Sequence, residues 1–120
     1  IAQRADRAVP VLLEVNVAGE ASKFGFRIAE TGVPEGSEDL REAYRQIRDL
    51  PHLDVRGLMT VAPLAAAPEA VRPVFRTLAA LRKELALPLL SMGMTDDYPV
   101  AIEEGATHIR LGRAIFGARP

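Results

Sequence analysis

The sequence predicts an α/β fold with parallel strands, organised as half of a (β/α)8 barrel. First, four apolar strand-like runs are each followed by a loop and a helical pattern, which is typical of a parallel α/β sheet. Second, the four units fill 120 residues, whereas a complete barrel takes roughly 250 residues. Third, polar residues recur on one face of the strands. An open, four-stranded flavodoxin-like sheet is the alternative architecture.

The first unit begins with a strand at Val9–Val17, whose nearly continuous Val and Leu content is expected of a parallel strand covered on both faces. After a loop that contains Gly and Ser, Ser37 is the predicted N-cap of a helix. Apolar residues at helical spacing give this helix one buried stripe: Leu40, Ala43, Tyr44, Ile47 and Leu50. Pro51 ends the helix.

The second unit has a strand from Val55 to Ala62, followed by the helical segment "AVRPVFRTLAALRKEL". Pro73 is compatible with this helix only within its first turn, where the missing N–H has no partner inside the helix. The residues predicted to face the core are Val71, Phe75, Leu78 and Leu85.

The third strand is predicted at Leu87–Met92 and the fourth at Thr107–Gly112. Between them, Thr95 is the predicted cap of a helix that starts at Asp96 and ends at Gly105. The short segment "AIFG" follows the fourth strand as a last helical turn.

Alternation of side chains along each strand places a set of polar residues on one face of the sheet. They are Glu14, Asn16, Arg56, Thr60, Ser91 and Arg110. Such a face packs poorly under helices but suits the mouth of a barrel, where ligands bind. Because charges that leave water need partners, we expect Glu14 to neutralise Arg56 or Arg110.

Composition narrows the classes of function. The net charge is −1 and 13 arginines are scattered among 16 acidic residues, so no basic field indicates nucleic-acid binding. No apolar run is long enough to span a membrane. Cysteine is absent, which fits a cytoplasmic protein. His52 and His108 have no partner at helical spacing, so no metal site is expected.

Two glycine turns near the end of the sequence are the main functional signal. A phosphate needs several converging N–H donors, which the start of a helix supplies and which glycine allows to come close. In barrels such a site often follows the last two strands. On this interpretation Ser91 adds a hydroxyl, and Gly112 and Arg113 add backbone N–H groups. On the other interpretation, Gly93 and Gly112 are only turn glycines.

The charged residues near these turns also have two interpretations each. Arg110 belongs either to a structural ion pair or to a site where it donates to a ring nitrogen or an anion; it stays protonated and cannot be a general base. Asp96 and Asp97 are better interpreted as acids in the first turn of a helix than as catalytic carboxylates or metal ligands. Lys23 is either a solvated loop lysine or part of the ligand-binding face.

Three segments resemble one protein family. The segment "LSMGMTDDYPVAIEEGATHIRLGRAIFGAR" resembles the C-terminal signature of the YggS/PROSC family of pyridoxal phosphate (PLP) homeostasis proteins, and "VNVAGEASKFGF" and "VRGLMTVAP" resemble two further family segments in the same order. The resemblance implies a barrel similar to the N-terminal domain of alanine racemase. Residues 1–120 would be its C-terminal half, strands five to eight, and a fragment of a longer domain. It also implies a PLP carrier without catalytic activity in vitamin B6 and amino-acid homeostasis.

The resemblance assigns a set of residues to the cofactor: Ser91, Met92, Gly93, Arg110, Gly112, Arg113 and Asn16. In this assignment Ser91 and the backbone around Gly112 and Arg113 hold the PLP phosphate, while Arg110 faces the pyridine nitrogen. One position departs from the family pattern, because many relatives have a small hydroxyl residue where this sequence has Arg113.

The family's Schiff-base lysine has no match, because neither Lys23 nor Lys83 is at its position. The chain is therefore expected to supply only the phosphate- and pyridine-binding side. Its expected partners are PLP and either the missing N-terminal half-barrel or a second copy, through self-association of open sheet edges. The alternative function is a PLP-dependent amino-acid racemase or a sugar-phosphate enzyme on the same barrel, although Tyr44 and Tyr98 offer no opposed acid–base pair.

Overall fold

The computed structural model describes residue 4, residues 6–33, residue 35 and residues 37–120. Within this part of the chain, three strands alternate with helices: β1 (Val9–Glu14), α1 (Leu40–Ile47), β2 (Leu53–Met59), α2 (Arg72–Glu84), β3 (Leu89–Ser91), α3 (Tyr98–Glu103) and α4 (Arg113–Phe116). Short 3-10 turns at Ala29–Thr31 and Pro68–Val71 precede α1 and α2. None of the helices described has the length and apolar character needed to cross a membrane.

The strands form one parallel sheet in the order β1-β2-β3, which confirms the predicted α/β class. Leu13 pairs with Leu58 and Leu58 with Leu90, so these apolar side chains lie on the same side of the sheet. Helix α2 packs on β2 and β3, and its residues Phe75 and Leu78 are fully buried in one core with the three leucines. The prediction that the first strand is covered on both faces is wrong, because Pro10 and Leu12 of β1 are exposed.

The predicted fourth strand, Thr107–Gly112, is not a regular strand, because a single parallel bridge joins this segment to β3. The hydroxyl of Thr107 accepts the N–H of Leu90 at 2.8 Å, a bond that a regular ladder would give to a backbone carbonyl. Farther along, the N–H of Arg110 donates to the carbonyl oxygen of Gly93 at 2.9 Å. The segment therefore extends along β3 without forming a full ladder.

Two predicted helix caps are wrong. The N-cap of α1 is Asp39 rather than Ser37, because the Asp39 carboxylate accepts a backbone N–H of the first turn at 2.9 Å. Thr95 does not cap α3, since its hydroxyl accepts the N–H of Ala114 in α4 at 3.1 Å. The prediction for Pro73 is confirmed, because this proline lies in the first turn of α2.

The expected pairing of Glu14 with Arg56 is wrong. The register of β1 against β2 shifts between Val11 and Leu12, and Arg56 is the extra residue at this bulge. Its guanidinium is half-exposed and donates to the Asp54 carboxylate at 2.8 Å. A β-bulge re-aims the side chains around it, and strict alternation therefore misplaced Arg56.

Thr60 also lies on the other side of the sheet from the predicted one. Glu14, Met59 and Ser91 are partners on adjacent strands and share one side, so Thr60, the residue after Met59, falls on the opposite side. Thr60 is buried, and its hydroxyl donates to the carbonyl oxygen of Val15 at 2.7 Å. The predicted polar face is thus reduced, although Glu14 and Ser91 remain together.

Ion pairs hold the helices together on the outer surface. Arg72 of α2 lies 2.6 Å from Glu69, 2.5 Å from Glu103 and 2.7 Å from Glu104. Hydrogen bonds to Glu69, and then to Glu103 and Glu104, raise the pKa of Arg72 above its ordinary value. The hydrogen bond from Arg72 in turn lowers the pKa of Glu104. This arginine is fully engaged in joining α2 to α3.

Candidate ligand-binding site

A cleft of about 730 Å³ opens at the carboxyl ends of β2 and β3. Its walls come from the loop after β2, the loop after β3 and the turn into α4. The polar and glycine residues on its walls include Lys23, Thr60, Gly93, Asp96, Gly112 and Arg113. Leu64 and Phe116 add an apolar surface, with 95% and 84% of their areas exposed. Parallel α/β sheets bind ligands at this end of their strands.

Both predicted glycine turns reach the cleft. Gly93 has a φ of +98°, and an added Cβ would lie 2.7 Å from the Cβ of Ala101, so both backbone geometry and space require glycine there. Gly112 has a φ of −119° and open space around it, so its backbone does not require glycine. In the described part of the chain, the N–H groups of Gly112 and Arg113 have no hydrogen-bond acceptor. Such donors are what a phosphate requires.

Ser91 and Arg110 are in direct contact beside the cleft. Arg110 Nη1 donates to the hydroxyl oxygen of Ser91 at 2.5 Å, and Nη2 donates to the carbonyl oxygen of Thr60 at 2.8 Å. The backbone N–H of Arg110 donates to the carbonyl oxygen of Gly93. Since Thr60 and Gly93 both line the cleft, the arginine is anchored to two of its walls.

The charge of Arg110 is only partly compensated. It makes no ion pair among the described residues, since its acceptors are a hydroxyl and a carbonyl. Burial lowers the pKa of Arg110, and attraction to the carboxylates of Glu14 and Asp97 partly offsets this. The expected direct pair with Glu14 is therefore replaced by attraction at longer range. An arginine stays protonated in proteins, and its free donors favour an anion or a ring nitrogen as a further acceptor.

Two of the cations that line the cleft lie near a carboxylate. Arg113 Nη2 donates to the Asp96 carboxylate at 2.7 Å, so Asp96 pairs with α4 instead of lying within a helix as predicted. Lys23 Nζ donates to the carbonyl oxygen of Ala62 at 3.3 Å and lies 3.9 Å from the Glu20 carboxylate. No cluster of three or more His, Asp or Glu side chains that could hold a metal ion occurs in the described part of the chain.

Four of the predicted site residues are not part of the lining of the cleft: Ser91, Arg110, Met92 and Asn16. Met92 is fully buried in the hydrophobic core, so its side chain packs within the fold, and its backbone N–H donates to the carbonyl oxygen of His108 at 3.1 Å. The buried amide of Asn16 closes the loop after β1 by donating to the carbonyl oxygens of Glu20 at 2.7 Å and Lys23 at 3.2 Å. It borders a separate hollow of about 200 Å³. The structure thus gives Met92 and Asn16 packing or loop-closing contacts that the sequence did not predict.

Two threonines make contacts that the sequence did not predict, although it placed Thr60 on the polar face and Thr95 at a helix start. Thr60 joins three neighbouring segments, because its N–H donates to Ser91, its hydroxyl donates to Val15, and its carbonyl accepts from Arg110. A hydroxyl within the apolar run "LMTVA" was a signal for such a role. Thr95 joins the two glycine turns through its bond to α4, and no spacing in the sequence indicates that contact.

The chain matches one protein-family model over its whole length and curated proteins over most of it. Residues 1–120 match the family model described as alanine racemase, N-terminal domain. The chain is 48% identical over 115 residues to the pyridoxal phosphate homeostasis protein of Aquifex aeolicus, and 47% identical over 111 residues to that of Pseudomonas aeruginosa. Each match covers 91% of this chain, and 46% and 44% of those proteins. The chain thus spans about half the length of the curated relatives it matches.

Two solved structures of PipY from Synechococcus elongatus are similar in both sequence and fold. The structure without PLP has a TM-score of 0.75 at 33% identity, and the structure with PLP bound has a TM-score of 0.68 at 30% identity. Both cover 97% of this chain, and 53% and 52% of the PipY chain.

Proposed function

Because the chain belongs to the family of the alanine racemase N-terminal domain, we propose that it binds PLP as part of a non-catalytic PLP homeostasis protein. The observation that carries the proposal is the contact of Ser91 with Arg110, at the carboxyl end of the sheet and beside a cleft flanked by two glycine turns. The names of the curated relatives and the PLP-bound structure of PipY support the same ligand.

The PLP phosphate fits the turn into α4. The N–H groups of Gly112 and Arg113 are available there, and Gly93 on the facing loop has no side chain to obstruct an approach. Ser91 adds a hydroxyl near the same strand ends. Converging backbone donors of this kind bind phosphate groups in many α/β proteins.

Arg110 is suited to hold the pyridine nitrogen. A guanidinium has only donors and stays protonated, so it bonds to an unprotonated ring nitrogen and opposes protonation there. PLP, when bound, supplies an aldehyde and an electron-withdrawing ring, and the withdrawal is weaker when the ring nitrogen carries no proton. This favours a carrier in vitamin B6 and amino-acid homeostasis over an enzyme.

A racemase or a sugar-phosphate enzyme on the same scaffold has less support. A racemase needs two opposed acid–base groups at its cofactor. Tyr44 lies on α1, where the guanidinium of Arg48 is 5.9 Å from its ring centre, and Tyr98 begins α3. In the described part of the chain neither tyrosine lines the cleft.

We further propose that β1, β2, β3 and the segment 107–112 are strands five to eight of a (β/α)8 barrel, with residues 1–120 as its C-terminal half. The parallel order of the segments and the double length of the relatives support it. Among the described residues no strand pairs with the outer edge of β1, and only at its carboxyl end does a backbone N–H, that of Phe26, donate to it, to the carbonyl oxygen of Glu14 at 2.8 Å. An N-terminal half-barrel or a second copy of the chain would pair with such an edge.

A PLP titration followed by visible absorbance tests the proposed ligand. We expect saturable binding that inorganic phosphate weakens, and about tenfold weaker binding in Ser91→Ala, because a hydrogen bond to a charged group is lost. Ser37→Ala is the matched control, since Ser37 is exposed and lies before α1. Equal PLP affinity in the two variants would contradict the proposed site, and turnover of an amino acid would support the racemase.

Light scattering tests the proposed partners. We expect the chain alone to self-associate and a separately added N-terminal half-barrel of a relative to shift it to a one-to-one complex. A monomer that unfolds cooperatively and does not bind the added half-barrel would contradict the proposed pairing at the outer edge of β1.

A further inference from the structure

Asp96 and Arg113 join the two walls of the cleft. Asp96 lies in the loop after β3 and Arg113 is the first residue of α4, and their side chains meet at 2.7 Å. Both residues line the cleft together with Gly93 and Gly112. The ion pair therefore lies on the wall of the cleft that also contains the proposed phosphate site.

The Asp96 carboxylate presents Arg113 with the same kind of acceptor as a phosphate. Both groups offer paired anionic oxygens, which match the planar fork of a guanidinium. In the structure Asp96 accepts from one donor of this fork, Nη2 of Arg113. A phosphate at the turn into α4 that accepts from Nη2 therefore competes with Asp96 for this donor, and it also meets the negative charge of the carboxylate.

The existing pair is weak enough to exchange. Its two side chains are 55% and 62% exposed, and exposed pairs of this kind contribute little free energy because water and salt screen them. The bond from the Ala114 N–H to the hydroxyl of Thr95 also joins the two walls, and it does not involve either charge. Exchange therefore needs movement of the two charged side chains, while this bond still holds the loop to α4.

Resting on the proposed PLP function, we propose that Asp96 is a built-in competitor that sets the phosphate affinity of the cleft through Arg113. Ligand binding transfers the guanidinium from the carboxylate to the phosphate. The carboxylate, once released, stays near the anion and repels it. Asp96 thus keeps the affinity low, which suits a protein that must release its ligand.

Calorimetric titration of the full chain with inorganic phosphate tests this role. We expect Asp96→Asn to bind phosphate roughly two- to fivefold more tightly than the wild type, the range that exposed ion pairs span. Asp54→Asn is the matched control: it removes one carboxylate from the half-exposed pair with Arg56, 2.8 Å apart, near the opposite end of β2. We expect it to leave the phosphate affinity unchanged.

A double-mutant cycle separates competition for Arg113 from simple repulsion. In an Arg113→Ala background, we expect Asp96→Asn to give a clearly smaller gain in phosphate affinity. The same gain in both backgrounds, or no gain in the single variant, overturns the inference and leaves the PLP proposal intact. Failure of the wild type and every variant to bind either phosphate or PLP overturns both.

Discussion

Arg72 and Arg110 represent two regions of the molecule with opposite electrostatics. Arg72, on the outer helical layer, has three glutamate partners that raise its pKa. Arg110, at the carboxyl end of the sheet, has a hydroxyl and a carbonyl as acceptors, and burial lowers its pKa. The helical layer neutralises its charges within the fold, whereas the strand ends keep a cation available. The first region serves stability and the second is suited to an anion.

The largest expected effect tests the stabilising role of the helical layer. Phe75 is fully buried between α2 and the sheet, and Phe75→Ala is expected to lower the free energy of unfolding by about 3–5 kcal/mol. Phe116 is 84% exposed at the cleft, so Phe116→Ala should change it by less than about 0.5 kcal/mol. Urea denaturation followed by circular dichroism measures both. An equal decrease in the free energy of unfolding for Phe75→Ala and Phe116→Ala would contradict the distinction between the two regions.

Replacing the cation at the strand ends tests the binding role. Arg110→Met is expected to weaken PLP binding by about ten- to a hundredfold, because hydrogen bonds from a charged donor are lost. Arg56→Met removes a half-exposed arginine that is paired with Asp54, and we expect no change in affinity. Absorbance titration compares the two variants. A comparable loss in both would show that overall charge, and not position, governs binding.

The helix cap tests whether the outer layer can be weakened without affecting the cleft. Asp39→Ala removes the acceptor at the start of α1 and is expected to lower the free energy of unfolding by about 1 kcal/mol. Ser37→Ala should have no measurable effect, since Ser37 is not the cap. Thermal unfolding distinguishes them, and PLP affinity should be unchanged in both. A lower stability of Ser37→Ala would indicate that Ser37, as the sequence predicted, is the N-cap of α1.

The smallest expected effect concerns pH. Hydrogen bonds from Arg72 lower the pKa of Glu69 and of Glu104 from their ordinary value of 4.5. As the pH falls, the carboxylates of the unfolded chain therefore take up protons first. The pairs stabilise the fold above about pH 4.5, and this contribution disappears as the pH falls through the lowered values. The groups are exposed, so screening keeps the effect small.

Arg72→Met is the variant for this test. Its Tm should lie below that of the wild type near neutral pH, and the two Tm values should converge in acid. Calorimetric scans across the acid range measure the difference. A gap that stays constant with pH would assign the role of Arg72 to packing of its side chain rather than to its charge.

The sequence predicted the order of strands and helices because burial dominates it. Leu13, Leu58 and Leu90 lie in apolar runs, and those runs form the paired strands. Two predictions that were wrong, the regular fourth strand and the face of Arg56, depend on single local contacts. The hydroxyl of Thr107 takes a donor from β3 and prevents a regular fourth strand, while a bulge at Arg56 breaks strict alternation. Neither event leaves a periodic signal in the sequence.

At the candidate site, too, the sequence predicted one contact and did not predict another. Alternation along the strands and the two glycine turns predicted that Ser91 and Arg110 would lie near one end of the sheet, and the structure places them in contact. The pairing of Asp96 with Arg113 depends on how two loops approach each other in space. Local spacing therefore predicted Asp96 as a helix acid, since it contains no information on that approach. The assignment of these residues to PLP stays a prediction.

Thr60 links the cleft to the interior of the sheet through three bonds: 3.1 Å to Ser91, 2.7 Å to Val15 and 2.8 Å from Arg110. Motion of any one neighbour is therefore opposed by the other two. A ligand that restrains the guanidinium should slow amide hydrogen exchange in β1 as well as at its own binding loops. Ligand binding in the cleft would then be measurable as slower hydrogen exchange near Val15, which is 45 residues from Thr60 along the chain.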